Sequence, residues 1–457
     1  MPSGTRTTAV VVIGAGISGI STAYCLATNH GIAGVVLVDA GQPMAFTSAQ
    51  SGDNYRNWWP HPAMAAFTNR SIDLMERIAR RTGNRIDMTR RGYAAATRET
   101  DIDDLVEQLQ FGFGDPAGRS LRVHSAAKAP AYRPARSRDW NDAPGGVDVL
   151  RNERLIQEAF PSFDPAVRTV LHIRRAGDID GHQLGSYMLE VFRNAGGQRV
   201  TGVVEGIEDR NRYVLDVRGA DGIARIEAEK VVNAAGPFAP RIAGMLGVHL
   251  PVHNTLQQKL AFEDTARAIP RDMPFSIDLD RQTIDWTDDE REMLHEDPEL
   301  GRFAAEMPGA IHCRPDGGDC GTRIKLGWAF NERTAAPEWN PRLDAHFPEI
   351  VLRGASRLHP SLKRYLGKAP YRPHHYGGWY TMTGENWPLI GPMGPAGAFM
   401  NCALSGFGTM AACAGGELCA AWVADAPLPE YARYFSLRRY EDVELTALLS
   451  KSSRGVL

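Results

Sequence analysis

The chain has 457 residues, 43% hydrophobic and 23% charged. That is the composition of a soluble globular protein too long for one ordinary core, so two domains, possibly interleaved in sequence, are expected. A formal net charge of −3 gives no reason to expect nucleic acid or an anionic membrane as partner. No apolar run approaches the ~20 residues of a membrane span. The opening MPSGTRTT is too short for a signal peptide, and a cytoplasmic location is expected. Cys25, Cys313, Cys320, Cys402, Cys413 and Cys419 form no C-x-x-C pair and no metal-ligand spacing, so buried free thiols and no metal site are expected.

Ala9 to Ile13 is an apolar run of strand length, Gly14-Ala15-Gly16-Ile17-Ser18-Gly19 is a G-x-G-x-x-G turn, and Ile20 to Asn29 suits a helix. Val35 to Val38 is a second strand, ended by Asp39 twenty residues after Gly19. This is the strand–turn–helix–strand setting of a dinucleotide-binding unit. Gly14 permits the tight turn, Gly16 lets backbone approach a pyrophosphate, and Gly19 lets the helix lie against the strand. The helix N-terminus then offers N–H groups and a partial positive charge to phosphate. The Asp39 carboxylate accepts from ribose hydroxyls and would repel a 2′-phosphate, which argues against NADP. No second fingerprint follows, so one nucleotide site is expected.

Thr47 to Pro60 is polar and aromatic without periodicity. Met64, Phe67, Leu74, Met75 and Ile78 recur at helical spacing up to Gly83. Arg91 to Thr97 reads as a strand and Thr100 to Gln110 as a helix. Residues 122–147 are irregular and proline-containing, a loop long enough to be functional or mobile. Glu153 to Ala159 is a short helix. Asp180 caps a helix carrying Leu184, Met188, Val191 and Phe192, stopped at Gly196-Gly197. Strands follow over Arg199 to Ile207, Tyr213 to Val217, Arg225 to Ala228 and Lys230 to Ala235. Pro251 to Trp328 mixes strand and loop around a charged segment, Asp288 to Met307, that suits one or two surface helices. After an Arg/Pro-rich stretch, Lys363 to Pro373, come strands near Trp379 to Met382 and Ala398 to Ala403, then a small-residue helix from Thr409 to Val423.

Three separated segments carry a family resemblance: the fingerprint, Val231-Val232-Asn233-Ala234-Ala235-Gly236-Pro237-Phe238-Ala239, and Thr383-Gly384-Glu385-Asn386-Trp387-Pro388-Leu389-Ile390-Gly391 followed by Ser405-Gly406-Phe407-Gly408. Together they resemble the FAD-dependent D-amino-acid oxidase superfamily, in particular its sarcosine oxidase and dimethylglycine oxidase branch. The resemblance implies an α/β fold: a Rossmann-like FAD domain of discontinuous segments (1–90, 151–250 and 371–457) and a substrate domain on a mostly antiparallel sheet (91–150 and 251–370). It implies FAD contacts at Gly14, Gly16, Ile17, Ser18, Gly19, Asp39, Ala40, Ser48, Ser51, Gly52, Val204, Ala235, Gly236, Gly406, Phe407, Gly408 and Thr409. The helix after Gly406 and Gly408 would turn its positive end toward reduced flavin.

The implied activity is oxidation of a C–N bond of an amine or amino acid to an imine, by hydride transfer to flavin N5, with dioxygen as acceptor and hydrogen peroxide as product. Alternatives are a dehydrogenase passing electrons to a quinone or carrier protein, and a non-catalytic FAD-binding subunit. Lys325, in Arg323-Ile324-Lys325-Leu326-Gly327, is similar to the family lysine that promotes oxygen reduction, or is a solvated strand lysine. His312 matches a tyrosine facing substrate, or is a histidine satisfied within the sheet. Arg56 falls near the family arginine beside the substrate carboxylate, one residue or more out of register. Tyr55, Trp58, Trp59, Arg314, Trp328 and Tyr380 are substrate-wall candidates, the tryptophans equally readable as core. Where sarcosine oxidases attach FAD through cysteine this chain has Gly378, or its neighbour Gly377 or Trp379, so non-covalent FAD is expected. The family lysine for the substrate carboxylate corresponds to Met410, which makes sarcosine itself an unsafe guess.

Overall fold

A computed structural model describes residues 6–125, 131–136, 140–318, 320–368 and 370–451. Its first sheet grows from the N-terminal apolar run. Arg6–Ile13 pairs in parallel with Val35–Asp39 on one side and with Gly222–Asn233 on the other. The parallel ladder continues outward to Gln198–Thr201 and to Ala398–Cys402. Val10, Val12, Val35 and Leu37 face a core built with the helices Ile17–Asn29, Pro62–Arg81 and Gly408–Val423. Val11, Ile13, Val36 and Val38 face a second core with Val204, Leu215, Ile226 and Ile242. Burial on both faces explains why these strands read as continuous apolar runs rather than alternating ones.

Two strand readings change. The expected strand Arg199 to Ile207 breaks at Gly202: Gln198–Thr201 stays in the parallel ladder, and Val203–Asp209 enters an antiparallel meander with Tyr213–Gly219. A side chain at Gly202 would lie 2.6 Å from Val217 and 2.8 Å from the Arg218 carbonyl, so the chain can turn there only as glycine. Conversely, Arg225 to Ala228 and Lys230 to Ala235 belong to one long strand, Gly222–Asn233, which pairs antiparallel along its first half and parallel along its second. The helix expected over Thr100 to Gln110 runs Asp103–Phe113 and ends at Gly114, in the left-handed region at φ 61°.

The second sheet has nine strands in the order 371–383, 252–263, 323–327, 311–316, 275–278, 93–97, 169–173, 147–150, 121–124. Its pairings are antiparallel except those of Phe275–Asp278 with Tyr93–Thr97 and of Leu121–His124 with Val147–Leu150. Thr169–Ile173 and Tyr371–Thr383 join this sheet, although the sequence division placed their segments with the FAD domain; each is drawn in by full-length pairing to a second-sheet neighbour. Within 122–147, the ends form strands, and residues 126–130 and 137–139 lie outside the described residues. The charged segment yields a helix, Asp288–Glu296, capped by the Thr287/Glu290 box, and a short 3-10 turn, Gly301–Phe303.

Candidate active site

The C-terminal ends of the parallel strands and the near face of the second sheet enclose a cleft with about 1550 Å³ of empty space. Part of that space is open to solvent, and the lining runs from the G-x-G-x-x-G turn to the strands of the second sheet. At one end Gly14 turns the chain at φ 108°, where a side chain would sit 2.3 Å from the Ala234 carbonyl. A Cβ at Gly19 would lie 1.8 Å from the Gly14 carbonyl, so this glycine brings helix onto strand and does not itself line the cleft. Asp39 is oriented by two backbone donors, Ala15 N–H at 2.6 Å and Gly41 N–H at 2.7 Å, which leave lone pairs on both oxygens for ribose hydroxyls. Helix Ile17–Asn29 starts at Gly16 with no side-chain cap, and the Ile17 N–H meets Ser48 Oγ at 3.0 Å.

Gly14, Gly16, Ile17, Ser18, Asp39, Ala40, Ser48, Ser51, Gly52, Val204, Ala235, Gly236, Gly406, Gly408 and Thr409 all line this one cleft. Phe407 does not; its ring turns away and meets Trp59 edge-on at 4.8 Å. Thr47 Oγ1 and Asn401 Oδ1 are buried in the lining without a hydrogen-bond partner, as polar groups held for a polar ligand would be. The residues therefore fit a dinucleotide. Cys402 also lines the cleft, and burial pushes its thiol up to about 12, which disfavours the thiolate needed for a covalent link.

The second sheet supplies the other wall. Cross-strand partners in register point to the same face. Lys259 pairs with Gly327, and Gly327 with His312. One step along, Ala261 pairs with Lys325 and Lys325 with Arg314. Lys259, Gly378 and Tyr380 line the cleft, so this face turns toward it. The opposite face carries Leu260, Leu326, Cys313 and Trp328 into the core under helix Phe347–Leu358. Trp328 is thus a core residue and not a substrate wall: alternation sends its indole away, and Nε1 donates to the Pro308 carbonyl at 3.1 Å.

The sequence candidates separate into groups. Lys325 lies outside the cleft lining, 3.0 Å from Asp316; burial and then Arg314 lower its pKa, against Asp316 and Asp53. Asp53, in the left-handed region at φ 58°, takes the Thr409 hydroxyl at 3.4 Å, and its own N–H donates to Ser51 Oγ at 3.0 Å. It therefore links the cofactor wall to the field of Lys325 and Arg314. Arg314 is fully engaged, donating to the Gly52 carbonyl at 2.7 Å and 3.2 Å and to the Pro315 carbonyl at 2.9 Å, so it holds the cofactor loop and is not free for substrate. Tyr55 is likewise spent: its ring is fully buried and its hydroxyl donates to the Thr89 carbonyl.

Arg56 is buried between Trp59 at 5.0 Å and Tyr93 at 5.6 Å, its Nε donating to the Trp58 carbonyl. Trp58 sits in a core with Val147, Val149 and Ile173. From Arg56 the aromatic layer continues through Tyr93 and Phe275, 4.4 Å apart, to His312, 4.9 Å from Phe275. His312 Nδ1 is 3.2 Å from the Ala310 carbonyl and must be the donor there, so Nε2 keeps its lone pair. Burial, with Lys259 and Arg314 nearby, pulls its pKa down to about 4.

Lys259 escaped sequence reading. It is 6% exposed, lines the cleft, contacts the Gln50 carbonyl at 3.2 Å and lies 5.5 Å from the Tyr380 ring. Its signal in the sequence is slight, one cation in Leu256-Gln257-Gln258-Lys259-Leu260-Ala261-Phe262, and its neighbours depend on strand register.

A profile described as "DAO: FAD dependent oxidoreductase" matches residues 9–422. The chain belongs to this family. FAD is accordingly its cofactor, and the cleft is where this FAD-dependent oxidoreductase would hold it. Among curated proteins, it is 25% identical over 269 residues to a glycine oxidase of Pseudomonas aeruginosa, covering 57% of this chain and 64% of that one. A glycine oxidase of Pseudomonas putida matches at 23%, over the same shares of the two chains. The chain thus spans somewhat under two thirds of the curated relatives it matches. Among solved structures, an L-proline dehydrogenase from P. horikoshii superposes with TM-score 0.71 at 17% identity, covering 96% of this chain and 99% of that one. A glycine oxidase from Geobacillus kaustophilus gives TM-score 0.69 at 17% identity, over 95% and 99%. At such identities the structural likeness speaks for the fold. Among the described residues no helix is long and apolar enough to cross a membrane, and no cluster of His, Cys, Asp and Glu is arranged to hold a metal.

Proposed function

We propose that this oxidoreductase oxidises the C–N bond of a small amine or amino acid to an imine, with non-covalently bound FAD as immediate acceptor and dioxygen as final acceptor. The observation that carries this reading is the second-sheet face that sets Lys259 on the cofactor cleft, with His312 and Lys325 in register on the same face just outside its lining. When bound, FAD supplies the two-electron chemistry. The protein binds, orients and desolvates. His312 offers an unprotonated Nε2 to a substrate N–H, which favours an amine held with its nitrogen lone pair free. The Trp59, Tyr93 and Phe275 rings exclude water around it. Lys259 and Lys325 fix positive charge on the side where negative charge develops when oxygen is reduced.

The test is an anaerobic screen of secondary amines and both amino-acid series for bleaching of the flavin absorbance, followed by admission of air. A substrate that bleaches the flavin, with fast reoxidation and peroxide release, supports the oxidase. Lys325→Met or Lys259→Met should then slow reoxidation tenfold or more and leave bleaching within a few-fold. Fast bleaching with sluggish reoxidation in the unmodified protein replaces the oxidase by a dehydrogenase that passes electrons to a quinone or carrier protein. No bleaching across the panel overturns the reading.

A further inference from the structure

Three aromatic rings from distant parts of the chain meet at the cleft and nowhere else. Phe46 follows the Asp39 strand, Phe238 follows the Ala235-Gly236 turn, and Trp339 lies in the irregular segment between Trp328 and helix Phe347–Leu358. Phe46 and Phe238 stack at 5.6 Å, Phe238 and Trp339 stack at 5.6 Å, and Phe46 meets Trp339 at 4.6 Å. All three line the cofactor cleft. None belongs to any of the four hydrophobic cores or to the residues packed against them. Trp339 is 51% exposed. Together the three rings present contiguous apolar surface to the cleft that a ligand there would cover.

The backbone beneath Trp339 is fastened. The Glu338 carbonyl accepts from Trp379 Nε1 at 2.9 Å, Ala335 N–H donates to the Asn254 carbonyl at 3.0 Å, and Asp344 N–H donates to Gln258 Oε1 at 2.9 Å. Asn331 exchanges bonds with the strand Val252–Glu263, donating to the Leu256 carbonyl at 2.8 Å and accepting from Gln257 Nε2 at 2.6 Å. The segment is therefore a strap pinned along Val252–Glu263, with the indole resting on the two phenylalanines at the cleft. The Glu338–Trp379 bond sets it beside Gly378, which lines the cleft with backbone alone; a Cβ there would be 3.0 Å from Gln50.

We propose that Phe46, Phe238 and Trp339 form an aromatic clip that retains the bound FAD, and that Trp339 sets how slowly the cofactor leaves. The chemistry follows from the ligand. The nucleotide end is fixed by hydrogen bonds and the glycine turn, and the polar edge of the flavin can be hydrogen-bonded, but its dimethylbenzene side is held only by surfaces laid against it. Aromatic contacts of this kind each contribute beyond their buried area.

The test is cofactor release from the holoenzyme, followed as the rise of free-FAD fluorescence on dilution, with Kd from titration of apoprotein. Trp339→Ala should raise the dissociation rate tenfold or more and Phe46→Ala several-fold, whereas Trp339→Phe should stay within about threefold. Far-UV and near-UV circular dichroism of each variant with saturating FAD guards against unfolding. An unchanged release rate in a folded Trp339→Ala overturns the clip. So does a raised substrate KM with unchanged release, since the strap would then be a substrate gate.

Discussion

The Ala310 carbonyl, by taking the proton-bearing nitrogen of His312, decides what that side chain offers to a ligand. With a pKa near 4, the ring is neutral at every pH at which an amine would be assayed. It can accept a hydrogen bond from substrate but cannot be the group that titrates between pH 6 and 9. His312→Phe keeps the stack on Phe275 and removes the acceptor. Anaerobic flavin reduction by a good substrate should fall about 10- to 100-fold, the cost of one buried hydrogen bond to a polar partner, and the pH inflection should survive because it belongs to the substrate ammonium. An inflection that vanishes with His312→Phe would make His312 the base. At this scale the sequence was most informative where function is local. Gly14, Gly16, Ser18 and Asp39 act within one strand–turn–helix unit, so their spacing announces them. Lys259 stands near His312 only because Gly327 pairs with both, a relation that three strands of register create and linear spacing does not display.

Helix Gly408–Val423 illustrates what an element's composition encodes. Its run of small residues looks featureless along the sequence, with no apolar stripe, because in the fold it is buried on nearly every side. It crosses Ile17–Asn29 so closely that a Cβ at Gly416 would lie 2.5 Å from the Ser21 backbone, and its first turn brings Gly408 and Thr409 to the cleft while the other helix brings Ile17 and Ser18. Two helix N-termini at the cleft thus depend on one close crossing. Gly416→Val should destabilise the protein by about 1–3 kcal/mol or more through overpacking against backbone that cannot yield. It should also weaken FAD binding although the residue is remote from the cleft. Urea midpoints and an FAD titration check both; a lowered midpoint with unchanged affinity would separate packing from site geometry. Long elements such as this helix were legible in outline. The edges were not: Gly202 splits a strand that hydrophobicity joins, and Glu229, an exposed residue beside Lys230, is spanned by a strand that the pattern divides.

At the scale of the whole molecule, two sheets meet across one cleft, and the buried histidines around the second sheet tie stability to pH. His312 is held near pKa 4 and His172 and His359 near 3, each by burial first, with Arg174 adding to the effect at His172. An unfolded chain protonates all three from about pH 6.5 downward. Below that pH the unfolded state binds more protons than the folded one, so stability is present above 6.5 and is lost as pH falls toward 4. Each group contributes a slope of up to about 1.4 kcal/mol per pH unit, or about 4 kcal/mol per unit for three. Asp53 and Asp278 work in the opposite sense, since burial raises their folded carboxyl pKa and the folded state then binds the extra proton just above the ordinary carboxylate value. They soften the loss above the ordinary carboxylate value. Urea midpoints of the holoenzyme at constant FAD should therefore drop between pH 7 and pH 5. His359→Gln, whose amide can still reach Ser162 and Ser276, should flatten that drop by about a third. Midpoints that hold steady across this range would mean that the histidines are protonated in the fold, and with His312 protonated the proposed acceptor at Nε2 would be lost as well.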